Sequence, residues 1–300
     1  MQITPFNDCG ARFLMCRPEH FAVSYTINPW MDPKLWARDV GAHAAAEREW
    51  GALYRKLTKL GAAIELLAPV PGLPDLVFTA NAAIVLDGRA LLAHFRHPER
   101  QREEAHFEAA FRALQARGLI DAVRKLPKNL MLEGAGDCVW DARRKLFWMG
   151  YGPRSDVSAA RAVEDLFAQD VVTLELADPR FYHMDTALAP LPGGEVMYLP
   201  TAFTAAARGV IRARVAPHER IEIAMEDGCR LAANAVTLGN TLIMSGCGRR
   251  LRAELGERGY EIVATPLSSF LRSGGSAFCL TLRLDRRSVP AALAQNAAVA

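Results

Sequence analysis

The chain has 300 residues, 51% of them hydrophobic, and its 36 Lys and Arg nearly balance 33 Asp and Glu, leaving a formal net charge of +3. That much apolar material can bury the core of one large domain, and charges of both signs spread along the chain leave no electrostatic footprint for nucleic acid. No run approaches the roughly 20 apolar residues that span a bilayer, the N-terminal MQITPFNDCGARFL lacks the basic start and apolar stretch of a secretion signal, and Cys9, Cys16, Cys138, Cys229, Cys247 and Cys279 form no CxxC pair or Cys/His ligand pattern, so a cytoplasmic protein with reduced thiols and no structural zinc is expected.

In chain order, the helical pattern LWARDVGAHAAAEREWGALYRKLTKLG and the strand-like AAIELLAP preface a first hairpin, NAAIVLDGRALLAHF, which starts at Asn81. Asp87 and Gly88 suit its tight turn. PERQREEAHFEAAFRALQARG follows, with Phe107, Phe111 and Leu114 at helical spacing under a charged face. A second hairpin, DCVWDARRKLFWMGY, starts at Asp137 and leads to the helix SDVSAARAVEDLFAQD and the strand VVTLEL. The third, DTALAPLPGGEVMYL, starts at Asp185, and Gly193 and Gly194 are expected to form another two-residue turn. TAAARGVIRARV and RIEIA are its weaker helix and strand. The fourth, NAVTLGNTLIMS, starts at Asn234 and turns at Gly239 and Asn240, before CGRRLRAELGERGY and EIVATP. The last unit begins as a strand at Cys279, in CLTLRLDRR, and SVPAALAQNAAVA reads as a frayed tail.

The leading polar positions Asn81, Asp137, Asp185, Asn234 and Cys279 are spaced by 56, 48, 49 and 45 residues. Five short α/β units cannot bury their faces alone, so they are expected to close around a shared axis with their loop-to-strand junctions at one mouth. The fold expected is therefore a closed ring of five α/β units, a single domain over residues 1–300. In that arrangement a Cys, a His, an Asp and a Glu far apart in sequence meet. Cys279, behind the glycines of SGGSAF, is then a candidate nucleophile, with His183 and Asp185 of FYHMDT as its distant partners. The competing view of Cys279 is a small buried core residue.

Other chemistries fail on spacing. GAGD after Glu133 has Val139 where the dinucleotide fingerprint needs glycine, there is no GxxxxGK[ST] loop, and GGSAF around Ser276 lacks the closing glycine of a hydrolase elbow.

FTAN at 78–81, LEGAGD at 132–137, FYHMDT at 181–186 and SGGSAFCLTLRL at 273–284 resemble the guanidino-group-modifying (pentein) superfamily, as do FLMCRPEHFAVSYTINPWM, HPERQREE and YGPRSD. That superfamily includes arginine deiminases, dimethylargininases, amidinotransferases and arginine dihydrolases, all five-bladed α/β propellers. The resemblance covers nearly the whole chain and is most similar to arginine dihydrolase.

The resemblance implies covalent chemistry with no metal and no organic cofactor, on arginine or a derivative. Cys279 would attack the guanidinium carbon, and His183 would protonate departing ammonia and then activate water. Glu133 would orient His183. Asp185, two positions on and facing the same way along a strand, would accept from the guanidinium. Asn81 stands where deiminases and dimethylargininases usually carry an aspartate. A neutral amide would tolerate the neutral ureido group of citrulline, so a second attack would yield ornithine, two ammonia molecules and carbon dioxide. Arg100 and Arg154 would hold the substrate carboxylate, Asn28 its α-amino end, and Phe78 its aliphatic stem.

The alternatives are a dimethylargininase, an arginine deiminase, an amidinotransferase and, more distantly, a non-catalytic binding module of the same fold. No nucleic-acid or membrane partner is expected, and a homo-oligomer is compatible with the sequence. The sequence ends 21 residues after Cys279, so no second catalytic domain that would consume ornithine is expected.

Overall fold

The computed structural model describes residues 10–289. Cys9 and the expected tail from residue 290 onward lie outside the described residues. β1 (Arg12–Cys16) leads through α1 (Pro33–Arg38) and α2 (Ala42–Lys59) to β2 (Ala63–Leu67), which lies parallel to β1. The antiparallel hairpin β3 (Ala83–Leu86) and β4 (Arg89–Leu92) is followed by α3 (Pro98–Gln101), α4 (Glu104–Ala116) and the parallel strand β5 (Ala122–Lys125). A single helical turn, α5 (Gly134–Asp137), opens the next unit of β6 (Cys138–Asp141), β7 (Leu146–Tyr151), α6 (Ala160–Phe167) and β8 (Asp170–Glu175). Another turn, α7 (Met184–Ala187), opens β9 (Leu188–Pro190), β10 (Val196–Tyr198), α8 (Ala205–Arg214) and β11 (Arg220–Glu222). α9 (Met225–Gly228) precedes β12 (Val236–Leu238), β13 (Thr241–Met244), α10 (Arg249–Glu257) and β14 (Glu261–Ala264). Last come α11 (Ser268–Leu271) and β15 (Leu282–Arg283).

The described strands form five three-stranded sheets, four with the order hairpin, helix, parallel strand. The remaining sheet is β15-β1-β2, assembled from both ends of the chain, with Phe13 opposite Arg283 and Leu14 opposite Leu282. This corrects the expected assignment of the early helix and strand. α2 and β2 complete the unit that Cys279 begins, and β1 takes the place of its second hairpin strand. The strand expected from Cys279 shrinks to Leu282–Arg283, with Cys279 in the turn before it.

The helices form where apolar residues recur on one face. Phe107, Phe111 and Leu114 of α4 are buried with Val85, Ala90 and Val123 of the sheet beneath, each Phe worth about 1.5–3 kcal/mol of transfer free energy. Ala46, Trp50, Leu53 and Leu57 of α2 pack with Phe13 and Met15 of β1 and with Leu267 and Phe270. Two helices expected as continuous are interrupted. Asp32 caps α1 by accepting from Leu35 N at 2.9 Å, and the chain restarts after Gly41 as α2. At 102–103, Glu103 folds back onto Arg100, with Arg100 Nη2 to Glu103 Oε2 at 2.7 Å.

The Asp87-Gly88 turn has both residues at positive φ, 51° and 71°, as a tight hairpin requires. Gly193 and Gly194 instead sit in a five-residue connection, 191–195, closed by Leu191 N donating to Glu195 O at 2.7 Å. Among the described residues no helix is long and apolar enough to cross a membrane.

The five leading polar residues are all buried, and hydrogen bonds join the units in a circuit. Asn81 Nδ2 donates to Glu133 O at 3.2 Å, Met184 N to Asp137 Oδ1 at 3.1 Å, and Asn234 Nδ2 to Asp185 O at 3.3 Å. Cys279 N donates to Asn234 Oδ1 at 3.1 Å, and Ala80 N to Cys279 O at 3.1 Å, which returns the chain of bonds to the first unit.

Candidate active site

The Phe78 ring packs against the loop before Cys279 because Gly275 has no side chain; a Cβ there would collide with that ring. Gly136 does the same for Asn81, since a Cβ would collide with Nδ2 and crowd Nδ1 of His183. Both glycines therefore act by letting two segments touch.

His183 does not lie on a strand. It is the N-cap of α7, extended at φ −120° and ψ 153°, and its carbonyl accepts from Thr186 Oγ1 at 2.7 Å. The expected two-residue strand alternation with Asp185 is therefore absent. His183 lines a pocket that also receives Asn28, Asp75, Phe78, Asn81, Arg100, Arg154, Tyr182 and Cys279. Asp185 is not among its lining residues. Its Oδ2 accepts from Cys279 Sγ at 3.1 Å, behind the sulfur, and its Oδ1 is buried without a hydrogen-bond partner.

Glu133 lies one layer behind the pocket, fully buried, with Oε2 at 2.7 Å from His183 Nε2 and accepting from Arg154 Nη1 at 2.9 Å. Oε1 accepts from Arg96 N at 3.2 Å. Burial alone would push this carboxyl up, but Arg154 and the His183 hydrogen bond outweigh it and hold Glu133 well below the usual carboxylate range. His183 goes the other way. Burial pushes it down to about 4 despite Glu133, which favours the neutral imidazole. Cys279 is pushed well above the usual thiol range by burial and then by Asp185, and it rests as a thiol. Burial raises Asp185 itself to about 7.

The two expected carboxylate-binding arginines differ. Arg100 spends Nε and Nη2 on Glu103 and the Asp75 carbonyl, and its Nη1 donates to Asn81 Oδ1 at 2.9 Å. Arg154 donates to Glu133 and, at 3.0 Å, to Ile27 O, while its guanidinium carbon lies 4.4 Å from the Tyr182 ring centroid. Asn28 is also engaged, with Oδ1 accepting from Trp30 N at 2.9 Å and Nδ2 donating to Ser273 O at 3.0 Å.

Three residues of the site were not given roles from the sequence. Asp75 lines the pocket with Oδ1 buried and unpartnered, while Oδ2 accepts from Tyr25 Oη at 2.8 Å. Nothing local in LPDLV marked it. Tyr182 adjoins His183 in FYHMDT and donates to the carbonyls of Ser273 and Gly274, both at 3.0 Å. Asn234 was identified only as a repeat position. Among the described residues no group of three or more His, Cys, Asp or Glu side chains could hold a metal ion. The arrangement offers a thiol, a carboxylate-backed imidazole and an unpartnered carboxylate oxygen around one cleft.

Comparison with known proteins places this geometry. A family model described as N,N dimethylarginine dimethylhydrolase, eukaryotic, matches residues 17–286. The bifunctional arginine dihydrolase/ornithine cyclodeaminase ArgZ of Synechocystis sp. is 39% identical over 279 residues, which are 93% of this chain and 38% of that protein. The chain thus spans well under half of that relative. The N(G),N(G)-dimethylarginine dimethylaminohydrolase of Mycobacterium tuberculosis is 35% identical over 273 residues, 91% of this chain and 85% of that protein. A crystal structure of the N-terminal domain of ArgZ bound to substrate, described as an arginine dihydrolase, matches with a TM-score of 0.87 at 38% identity, covering 93% of this chain and 100% of that one. From the extent of the family match and of the mycobacterial relative, this chain belongs to the N,N dimethylarginine dimethylhydrolase family.

Proposed function

We propose that this chain hydrolyses the guanidino group of arginine through a covalent thiouronium on Cys279, and then the resulting ureido group through a covalent thiocarbamate on the same sulfur, giving ornithine, two ammonia molecules and carbon dioxide. The observation that carries the proposal is the convergence on one pocket of Cys279, of His183 backed by Glu133, and of a neutral Asn81. The likeness to the N-terminal domain of ArgZ supports the choice of arginine dihydrolase.

In each round the Sγ–Cζ bond forms, one Cζ–N bond breaks, and the proton lost by the thiol leaves with ammonia. Asp185 Oδ2, 3.1 Å from Sγ, holds the thiol proton until the guanidinium arrives. The cation's charge favours the thiolate that burial disfavours. His183 takes the proton the thiol gives up, passes it to the leaving nitrogen, and then takes a proton from the water that attacks the thiouronium. Glu133 steadies the imidazolium during that exchange. Water restores the thiol, and the product of the first round is citrulline.

Asn81 is held with Oδ1 toward Arg100, so Nδ2 is its remaining donor. That donor suits the ureido oxygen of citrulline, and the second attack on the same carbon expels the second ammonia and leaves a thiocarbamate. Water cleaves it to the thiol and the N-carbamate of ornithine, whose remaining C–N bond breaks as carbon dioxide leaves. For the amino-acid end we assign Asp75 Oδ1 to the α-ammonium, and Arg154 with Arg100 to the carboxylate. Asn28 shapes the loop over this end, and Phe78 flanks the stem.

The five sheets, in this view, are blades closing about one axis in a single catalytic domain over residues 1–300. The hydrogen-bonded circuit and the β15–β1 pairing support that closure. A cytoplasmic setting is supported by the free thiols of Cys16, Cys138, Cys229, Cys247 and Cys279.

A second reading, hydrolysis of dimethylarginine, is favoured by the family model and the mycobacterial relative. Comparing arginine with dimethylarginine at equal concentration decides between the two. Faster turnover of the methylated substrate would replace the first reading.

A further inference from the structure

Asn234 leads the fourth unit, is fully buried, and has no part in the chemistry assigned so far. Its amide grips Cys279 at two points. Oδ1 accepts from the Cys279 backbone N–H at 3.1 Å, and Nδ2 donates to Cys279 Sγ at 3.0 Å. The same Nδ2 donates to the Asp185 carbonyl at 3.3 Å, and Phe278 N donates to the Asn234 carbonyl at 3.3 Å. Backbone and side chain of Asn234 thus both fix the turn that carries the nucleophile. The amide orientation is set by this pattern, because Oδ1 has a backbone donor facing it and Nδ2 has a carbonyl facing it.

We propose that Asn234 is a positioning residue for Cys279, holding its backbone through Oδ1 and offering Nδ2–H to the sulfur as it becomes a thiolate. The argument rests on what sulfur needs in its two states. As a thiol, Cys279 has a proton to give, and Asp185 Oδ2 at 3.1 Å accepts it. As a thiolate it has only charge to place, in a site where burial penalises that charge. The N–H of Asn234 is a donor already aimed at the sulfur, and a hydrogen bond to an ionised acceptor is roughly twice as strong as one to a neutral acceptor. The bond therefore contributes little in the resting state and most after ionisation. Asp185 and Asn234 flank one atom with opposite preferences, one suited to the thiol and the other to the thiolate.

Other groups around the sulfur bear on its ionisation. Asp185 comes from α7, with His183 and Tyr182 just before it, and Asp75, Arg100 and Arg154 line the same pocket. Asn234 is a neutral residue in direct contact with the sulfur. Its removal changes a hydrogen bond without changing the formal charge of the site.

The proposal depends on Cys279 being the nucleophile but not on which guanidino compound it attacks, so the test uses no amino-acid substrate. The rate of Cys279 alkylation by iodoacetamide is measured against pH on the whole chain, with the modified peptide followed by mass to separate it from the other cysteines. In Asn234→Leu and Asn234→Ala the alkylation midpoint is expected to rise by about one pH unit, a tenfold loss of thiolate at a given pH below both midpoints. The limiting rate at high pH should change less than about threefold if the formed thiolate is equally placed and exposed. A midpoint unmoved in both variants, with only the limiting rate reduced, would mean a structural role and overturn the proposal.

Should both variants fail to fold, the wild-type protein still decides. The side-chain amide resonance of Asn234 should titrate with the midpoint of Cys279 alkylation, and a resonance that stays fixed through that range overturns the proposal. Loss of arginine hydrolysis with an unshifted midpoint counts against the role of Asn234. A shifted midpoint in a protein that hydrolyses no guanidino compound counts against the proposed function alone.

Discussion

Nε2 of His183 lies 2.7 Å from Oε2 of Glu133, with both side chains buried, and the same oxygen accepts from Arg154 at 2.9 Å. One carboxylate oxygen therefore fixes the proposed acid-base group and a proposed carboxylate-binding residue. Removing its charge should disturb both. Glu133→Gln is expected to lower kcat by about 100-fold or more, on the scale of losing general acid-base assistance, and to raise KM as Arg154 loses its anchor. Steady-state kinetics that resolve the two constants check this. A change in KM alone would place Glu133 outside the proton transfers.

Asn81 is tied to Arg100 through Oδ1 and to the Glu133 carbonyl through Nδ2. Asn81→Asp would put a carboxylate where the donor stands, favouring the cationic guanidinium and removing the bond to a neutral ureido oxygen. Citrulline should then accumulate. The ratio of second-round to first-round rates is expected to fall about tenfold or more, given about 1.5–3 kcal/mol for a charge-assisted hydrogen bond. Separate time courses starting from arginine and from citrulline measure it, and equal slowing of both rounds contradicts the assigned role.

Much of this site was legible from repeats rather than from neighbouring residues. Asn81, His183 and Cys279 led or adjoined matching segments, and the structure gathers them in one pocket because consecutive units bond to each other at those positions. The fifth unit was misassigned because strand pairing across the chain ends leaves no local signal: β15 contributes two residues, and its partner β1 lies at the other end. The direction of Asp185 was also misjudged. A period of two holds on a strand, whereas Met184–Ala187 is a helical turn that rotates Asp185 behind the sulfur. Asp75 was missed because a carboxylate with one unpartnered oxygen is recognisable only once its burial is known.

Asp185 gives the fold a pH dependence of defined sign. Burial raises its folded value from 3.8 to about 7. A carboxyl raised in this way contributes stability that is full below its unfolded value and is lost as pH rises through the folded one. Asp185→Asn removes that loss. The stability of the variant relative to wild type should therefore increase between pH 4 and pH 8, by on the order of 4 kcal/mol if the whole shift is expressed. Urea unfolding of both proteins at the two pH values measures the gap, and a gap independent of pH would mean that Asp185 is not raised.

The most direct measurement follows the products of arginine with time, in wild type and in Cys279→Ala. Hydrolysis at Cys279 in two rounds predicts transient citrulline, then one ornithine and two ammonia per arginine consumed, with no turnover in Cys279→Ala although arginine still binds. Citrulline as the end product would contradict the second round. Turnover surviving in Cys279→Ala would contradict the covalent account itself.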